Sequence, residues 1–244
     1  YLDDYKVKVE LTTSLRGGFH KYTFDDNKVH KVLFDLSRAN NRVDEWHIEK
    51  AGTNAVEGYQ RTGGDKVHFY AEFNETVQNL ETTKEGKRDG YSIVILDAED
   101  QPVTLKIGLS FVSIANAKEN FQKELSNRDF ETVHKDAKDV WSKVLNKIQV
   151  SGGTEKEKEL FYSSLYRSMQ WPALRSDANG EFKDEAGKVQ NKGFRYYTNP
   201  SLWDTYRNKL VLLSLLSPEV TGDIIQSLVD KGSYSGFMPT FFHG

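Results

Sequence analysis

The segment Ser201-Leu202-Trp203-Asp204-Thr205-Tyr206-Arg207 gathers an acid, a base and two aromatic rings into seven residues. On a helix, Asp204 and Arg207 are three apart and share a face, and Trp203 and Arg207 are four apart, so the indole can flank the guanidinium. A carboxylate accepts hydroxyl protons, a guanidinium donates, and an aromatic face covers the apolar C–H face of a sugar ring. An acid, a base and an aromatic at a helix mouth, after a long polar loop, therefore suit sugar recognition. The same spacing also fits a plain i,i+3 ion pair beside a core tryptophan, an arrangement that is common and weak. His243 follows an aromatic run near the end of the chain and is a candidate for the edge of the same site. Arg195-Tyr196-Tyr197 lies just upstream; it can line the mouth or pack beside it, and packing is the favoured reading.

Other chemistries find little support. The chain has no cysteine, which excludes disulfides, thiolate zinc sites and thiol nucleophiles in these 244 residues. The six histidines are scattered without metal-ligand spacing. His20 and His30 face each other if residues 19–36 form a hairpin, but two imidazoles fall short of the three or four ligands a zinc site uses. Asp177-Ala178-Asn179-Gly180-Glu181 lacks the full ligand series of a calcium loop and reads as a turn. Neither Ser163-Ser164 nor Ser201 sits in a G-x-S-x-G elbow. A net charge of −3 argues against an electrostatic nucleic-acid binder. The longest apolar run, near 210–216, is too short to span a bilayer.

Two kinds of periodicity position these residues. Up to about residue 113 the pattern alternates. Tyr5, Val7, Val9 and Leu11 oppose Lys6, Lys8, Glu10 and Thr12, which predicts a half-buried strand. Residues 19–36 read as a hairpin around the Asp25–Lys28 turn, and 45–50, 55–62, 66–73, 91–97 and 103–112 read as further strands. The mixed-sign run Lys84–Gly90 reads as a solvated loop. Many short strands with polar turns predict an antiparallel sandwich or barrel. From residue 114 the period becomes helical. One stripe is Ile114, Ala117, Phe121 and Leu125; a second runs from Val133 to Ile148. Lys147–Ser151 reads as a closing strand. Thr154 and Glu157 form a capping-box signal for a helix that ends at Trp171-Pro172. Residues 173–199 predict an extended loop with one small hairpin. Single helices are then predicted from Ser201 through Leu216 and, capped by Ser217 with Pro218 at its first position, through Val229. The fold class is therefore α+β: a β-sandwich over 1–113, a helical linker over 114–151 returning to the sandwich, and a helical bundle or barrel over 152–244.

The string Ser201–Arg207, followed by Leu212-Leu213-Ser214-Leu215-Leu216-Ser217-Pro218-Glu219 and Ile224-Ile225-Gln226-Ser227-Leu228, resembles glycoside hydrolase family 92, bacterial calcium-dependent exo-acting α-mannosidases. Gly18–Phe24, Gly108–Ile114, Phe161–Arg167 and Asp177–Phe182 agree, in order, across essentially the whole chain. The resemblance implies an N-terminal sandwich, a helical linker and the first helices of an (α/α)6 barrel. It implies inverting hydrolysis, in which an acid protonates the leaving oxygen and a carboxylate about 6.5–9.5 Å away activates water. Family members are much longer, the chain does not begin with Met, and both ends read as cut. The resemblance thus places the general acid, the general base and the Ca²⁺ ligands beyond these residues. It assigns no catalytic residue and no metal ligand within them. It carries over Asp204 as a contact to hydroxyls of a terminal mannose, with Arg207 positioning it and Trp203 beside it. It implies a mannose-containing oligosaccharide or N-glycan as partner, and a periplasmic, cell-surface or secreted location. The contrasting expectation is a non-catalytic carbohydrate-binding or scaffold module.

Overall fold

The computed structural model describes residues 1–25, 29–97 and 102–239. The chain divides into two compact units, one ending at Lys135 and one beginning at Asp136.

The first unit is built from two antiparallel sheets. Strands β1 (Val7–Thr13), β2 (Gly17–Phe24), β4 (Val43–Lys50), β5 (Ala55–Thr62), β6 (Asp65–Phe73) and β9 (Val103–Ser110) form a six-stranded sheet in the order β1-β2-β9-β6-β5-β4. Strands β3 (Lys31–Phe34), β7 (Val77–Glu85) and β8 (Asp89–Leu96) form a second sheet in the order β3-β8-β7. Side chains alternate across a strand, so each face of β6 has its own task. Phe69, Ala71 and Phe73 join Trp46, Val56, Val103 and Leu105 in a core that also takes Val77, Val94 and Leu96 from the second sheet. Tyr70, between them, turns to the opposite face and packs with Phe19, Ala55 and the helix α1 (Ile114–Glu124).

Helix α1 lies close against this outer face because glycines leave room for it. Gly17 and Gly108 are directly paired across β2 and β9. A Cβ on Gly108 would stand 2.3 Å from the Ala117 carbonyl oxygen and 2.7 Å from Phe121 Cβ. One on Gly17 would meet Leu125 Cδ1 at 2.7 Å. The helix starts where the Ser113 hydroxyl accepts from Asn116 N–H, and its apolar stripe of Ala117 and Phe121, extended by Leu125 at its C-cap, is buried as the periodicity predicts. Phe130 and Val133 of α2 (Phe130–Leu145) complete this second core.

Three sequence expectations are corrected here. Residues 19–36 do not form a hairpin: β2 pairs with β1 and β9, whereas β3 pairs with β8 in the other sheet. Phe24, Val32 and Phe34 are drawn into the core shared by both sheets, which favours a crossing over a tight return. His20 and His30 consequently do not face each other; His30 stacks on Phe24 at 4.1 Å, and His20 meets Tyr22. Strand β7 was not legible because its outer face is almost wholly polar, with only Val77 and Leu80 turned inward. Lys84 accordingly lies in a strand and not in the loop, and though exposed its ammonium donates to the Trp46 carbonyl and lies 4.3 Å over the indole. Finally, residues 147–151 form no strand.

Two outcomes test this account. Gly108→Ala is expected to cost about 1–3 kcal/mol through overpacking, read as a lower denaturation midpoint; an unchanged midpoint would mean that the helix seat yields freely. The second concerns His20, whose Nδ1 lies 2.7 Å from the Tyr22 hydroxyl and whose pKa is lowered by desolvation. A histidine with a depressed folded pKa contributes stability that is complete above the unfolded value, about 6.5, and is lost as pH falls through the folded value. Urea midpoints measured from pH 7 to 5 should therefore fall more steeply for the native sequence than for His20→Gln; equal slopes would contradict this.

Candidate functional site

The second unit follows helix with helix. Helix α3 (Glu155–Met169) begins with the predicted capping box: Glu157 N–H donates to the Thr154 hydroxyl, and the Glu157 carboxylate accepts from Thr154 N–H at 2.7 Å. After it come the small hairpin of β10 (Phe182–Lys183) and β11 (Val189–Gln190), helix α4 (Leu202–Thr205), helix α5 (Lys209–Leu216) and helix α6 (Pro218–Ser235). The hairpin, the Asp177–Gly180 turn and the start of α6 at Pro218 follow the sequence reading. The single helix expected from Ser201 to Leu216 is instead two, broken at residues 206–208. Tyr197, Leu213, Ile224 and Leu228 form the core of this unit. Ile225 and Val229 of α6 are exposed.

The residues leading into α4 are more ordered than a loop reading suggested. Tyr196, Tyr197, Thr198, Asn199 and Pro200 are all buried. Tyr196 stacks on Phe182 at 4.0 Å and Tyr197 is buried beside it, so the two tyrosines pack inward, the favoured reading, while Arg195 stays exposed. Burial, reinforced by Glu185, holds the Tyr196 phenol far above the ordinary tyrosine range. Thr198 N–H donates to the Ala173 carbonyl at 2.8 Å, and Trp171 Nε1 donates to the Asn199 carbonyl at 3.1 Å.

From this base Ser201 caps the sharp entry to α4. Asp204 and Thr205 N–H both donate to the Ser201 carbonyl at 3.0 Å, and the Ser201 hydroxyl donates to Asp204 Oδ2 at 2.8 Å. Asp204 Oδ1 makes no hydrogen bond among the described residues. Asp204, Arg207, Asn208, Lys209, Val211, Leu212 and Leu215 share one cavity of about 590 Å³ with Ser168. It is an open depression on the surface of this unit. The wall combines one carboxylate, two cations, an amide and an aliphatic surface. Burial holds the Lys209 ammonium below the ordinary lysine range.

The expected arrangement of the heptapeptide is corrected in two respects. Asp204 and Arg207 line the same cavity but do not form an ion pair: the helix breaks between them, and Arg207 Nε donates to the Tyr206 hydroxyl at 2.7 Å. Trp203 is 73% exposed, so it is neither a core residue nor a member of the cavity wall. His243 lies outside the described residues. Lys209, Asn208 and Ser168 were missed as wall residues.

Among the described residues no group of three or more His, Cys, Asp or Glu side chains is gathered as a metal site would require. No helix of the described residues is long and apolar enough to cross a membrane.

Comparison with known proteins bears on both units. The family model described as the glycosyl hydrolase family 92 N-terminal domain matches residues 1–110, and that of the family 92 catalytic domain matches residues 116–244. A family GH92 alpha-mannosidase, BT3965 from Bacteroides thetaiotaomicron, superimposes with a TM-score of 0.88 at 26% identity, over 96% of this chain and 34% of that one. Its complex with mannoimidazole gives a TM-score of 0.87 at the same identity and the same coverage. An uncharacterized secreted glycosidase from Arthroderma benhamiae is 37% identical over 111 residues, covering 44% of this chain and 14% of that protein. The chain thus spans about a third of the solved structures and a smaller part of the curated relative. The antiparallel sandwich followed by helices is their fold, and with a catalytic-domain match over more than half of its residues the chain belongs to glycosyl hydrolase family 92.

Proposed function

We propose that this chain is the sandwich, linker and first barrel helices of an enzyme that removes terminal α-linked mannose from glycans by inverting hydrolysis. The observation that carries the reading is the shared cavity of Asp204 and Arg207 in a chain of this family. Asp204 accepts hydrogen bonds from two hydroxyls of the terminal sugar. Ser201 holds Oδ2 and fixes the carboxylate plane, leaving Oδ1 to face the ligand. Arg207 and Lys209 donate to ring or linkage oxygens, and Val211, Leu212 and Leu215 meet the apolar C–H edge. Trp203, being exposed, is assigned to a sugar further along the glycan or to a neighbouring segment of the same polypeptide. His243 keeps its proposed place at the edge of the site.

The general acid and general base are assigned to the remainder of the polypeptide, as are the ligands of a calcium ion that would engage sugar hydroxyls when bound. The boundaries proposed are sandwich 1–113, linker 114–151 and barrel from 152. Secretion is proposed with the support of the secreted relative. A free-standing binding module is the weaker reading, since the catalytic-domain match spans residues 116–244.

In the complete enzyme, Asp204→Ala is expected to lower kcat/KM for a terminal α-mannoside by about 30- to 1,000-fold, the loss of one or two hydrogen bonds to a charged acceptor. Retention of native kcat/KM would remove Asp204 from the site.

A further inference from the structure

We propose that Ser227 and Lys231, neither of which lines the cavity, are positioning residues that set the register of the chain entering the Asp204 site. The inference rests on the reading of Asp204 given above.

Lys231 is only 5% exposed. It occupies the face of α6 that carries Ile224, Ser227 and Leu228 into the unit's interior, where an aliphatic side chain would bury at far less desolvation cost. The structure shows what the ammonium does there. Its Nζ donates to the Tyr197 carbonyl at 2.6 Å and lies 4.7 Å over the Tyr196 ring. One helical turn earlier, the Ser227 hydroxyl accepts from Tyr197 N–H at 3.0 Å and donates to the Asp223 carbonyl at 2.7 Å. Positions i and i+4 of α6 thus satisfy both backbone groups of one residue, replacing the partner strand that an extended segment would otherwise need.

The other side of the segment is held by residues 173–176, through backbone groups and the Ser176 hydroxyl. Arg175 N–H donates to the Tyr196 carbonyl at 2.7 Å, Tyr196 N–H donates to Ser176 Oγ at 2.9 Å, and Leu174 and Tyr197 form an isolated bridge. The segment's own side chains contribute less: Tyr196 Oη and Asn199 Oδ1 are buried without a hydrogen-bond partner. A slip of one residue at Tyr197 would exchange its inward and outward groups and carry Ser201 and Asp204 with it. The clamp on α6 prevents that slip.

The test is a double-mutant cycle in the complete enzyme, with kcat/KM measured on an oligosaccharide ending in α-linked mannose. Lys231→Met and Ser227→Ala should each lower kcat/KM by about tenfold or more, as small misplacements of binding groups do, and Lys231→Arg should recover part of the loss. In the Asp204→Ala background the same substitutions should change kcat/KM by no more than about twofold. Equal losses in both backgrounds, or no loss from either substitution, would overturn the proposal while leaving the role of Asp204 intact. If Asp204→Ala alone is harmless, the site reading fails and this inference fails with it. Should Lys231→Met not fold, Ser227→Ala, which keeps the ammonium and nearly the same volume, completes the cycle.

Discussion

The second unit depends on the burial of an extended backbone that belongs to no sheet. Residues 196–200 lie inside the protein, where every backbone N–H and C=O must find a partner. Residues 173–176 serve one edge, and Ser227 and Lys231 on the buried face of α6 serve the other. Only with both edges satisfied does the chain arrive at Ser201 in a defined direction. Ser201 then receives the N–H groups of Asp204 and Thr205 and returns its hydroxyl to the carboxylate. The orientation of Asp204 is thus the end of a chain of backbone hydrogen bonds.

The first unit solves a different problem. Its six-stranded sheet turns one apolar face to the second sheet, and on its other, mostly polar face an apolar patch of Phe19, Ala55 and Tyr70 meets α1. That patch needs a cover, and the paired Gly17 and Gly108 let α1 approach the backbone itself. The aromatic residues Phe19, Tyr70 and Phe121 fill the space around this contact, with Tyr70 and Phe121 ring centroids 5.1 Å apart.

Much of this was legible because burial imposes period. The strands at 45–50, 55–62 and 66–73 and the stripe Ala117, Phe121, Leu125 each have one face in a core, and their sequences record it. Strand β7 sits at a sheet edge with its outer face in water, so its sequence carries almost no signal. The false hairpin at 19–36 arose because local turn chemistry does not reveal whether the next strand returns to the same sheet. Within the site, Asp204 and Arg207 were found by residue type, and the structure brings both to one cavity. Their mutual geometry was not legible, since the break at 206–208 depends on how the flanking residues pack. For Trp203 the exposure excludes the alternative of a core tryptophan. Ser227 and Lys231 left only a faint mark, as polar residues interrupting the apolar face of α6.

The central claim is that the Asp204 carboxylate holds hydroxyls of the sugar to be released. The most direct measurement is a structure of the complete enzyme with mannoimidazole bound. The account predicts Asp204 Oδ1 within about 2.5–2.9 Å of a ring hydroxyl while Oδ2 keeps its bond to Ser201. A ring bound with Asp204 contacting only Ser201, beyond hydrogen-bond reach of every hydroxyl, would contradict it.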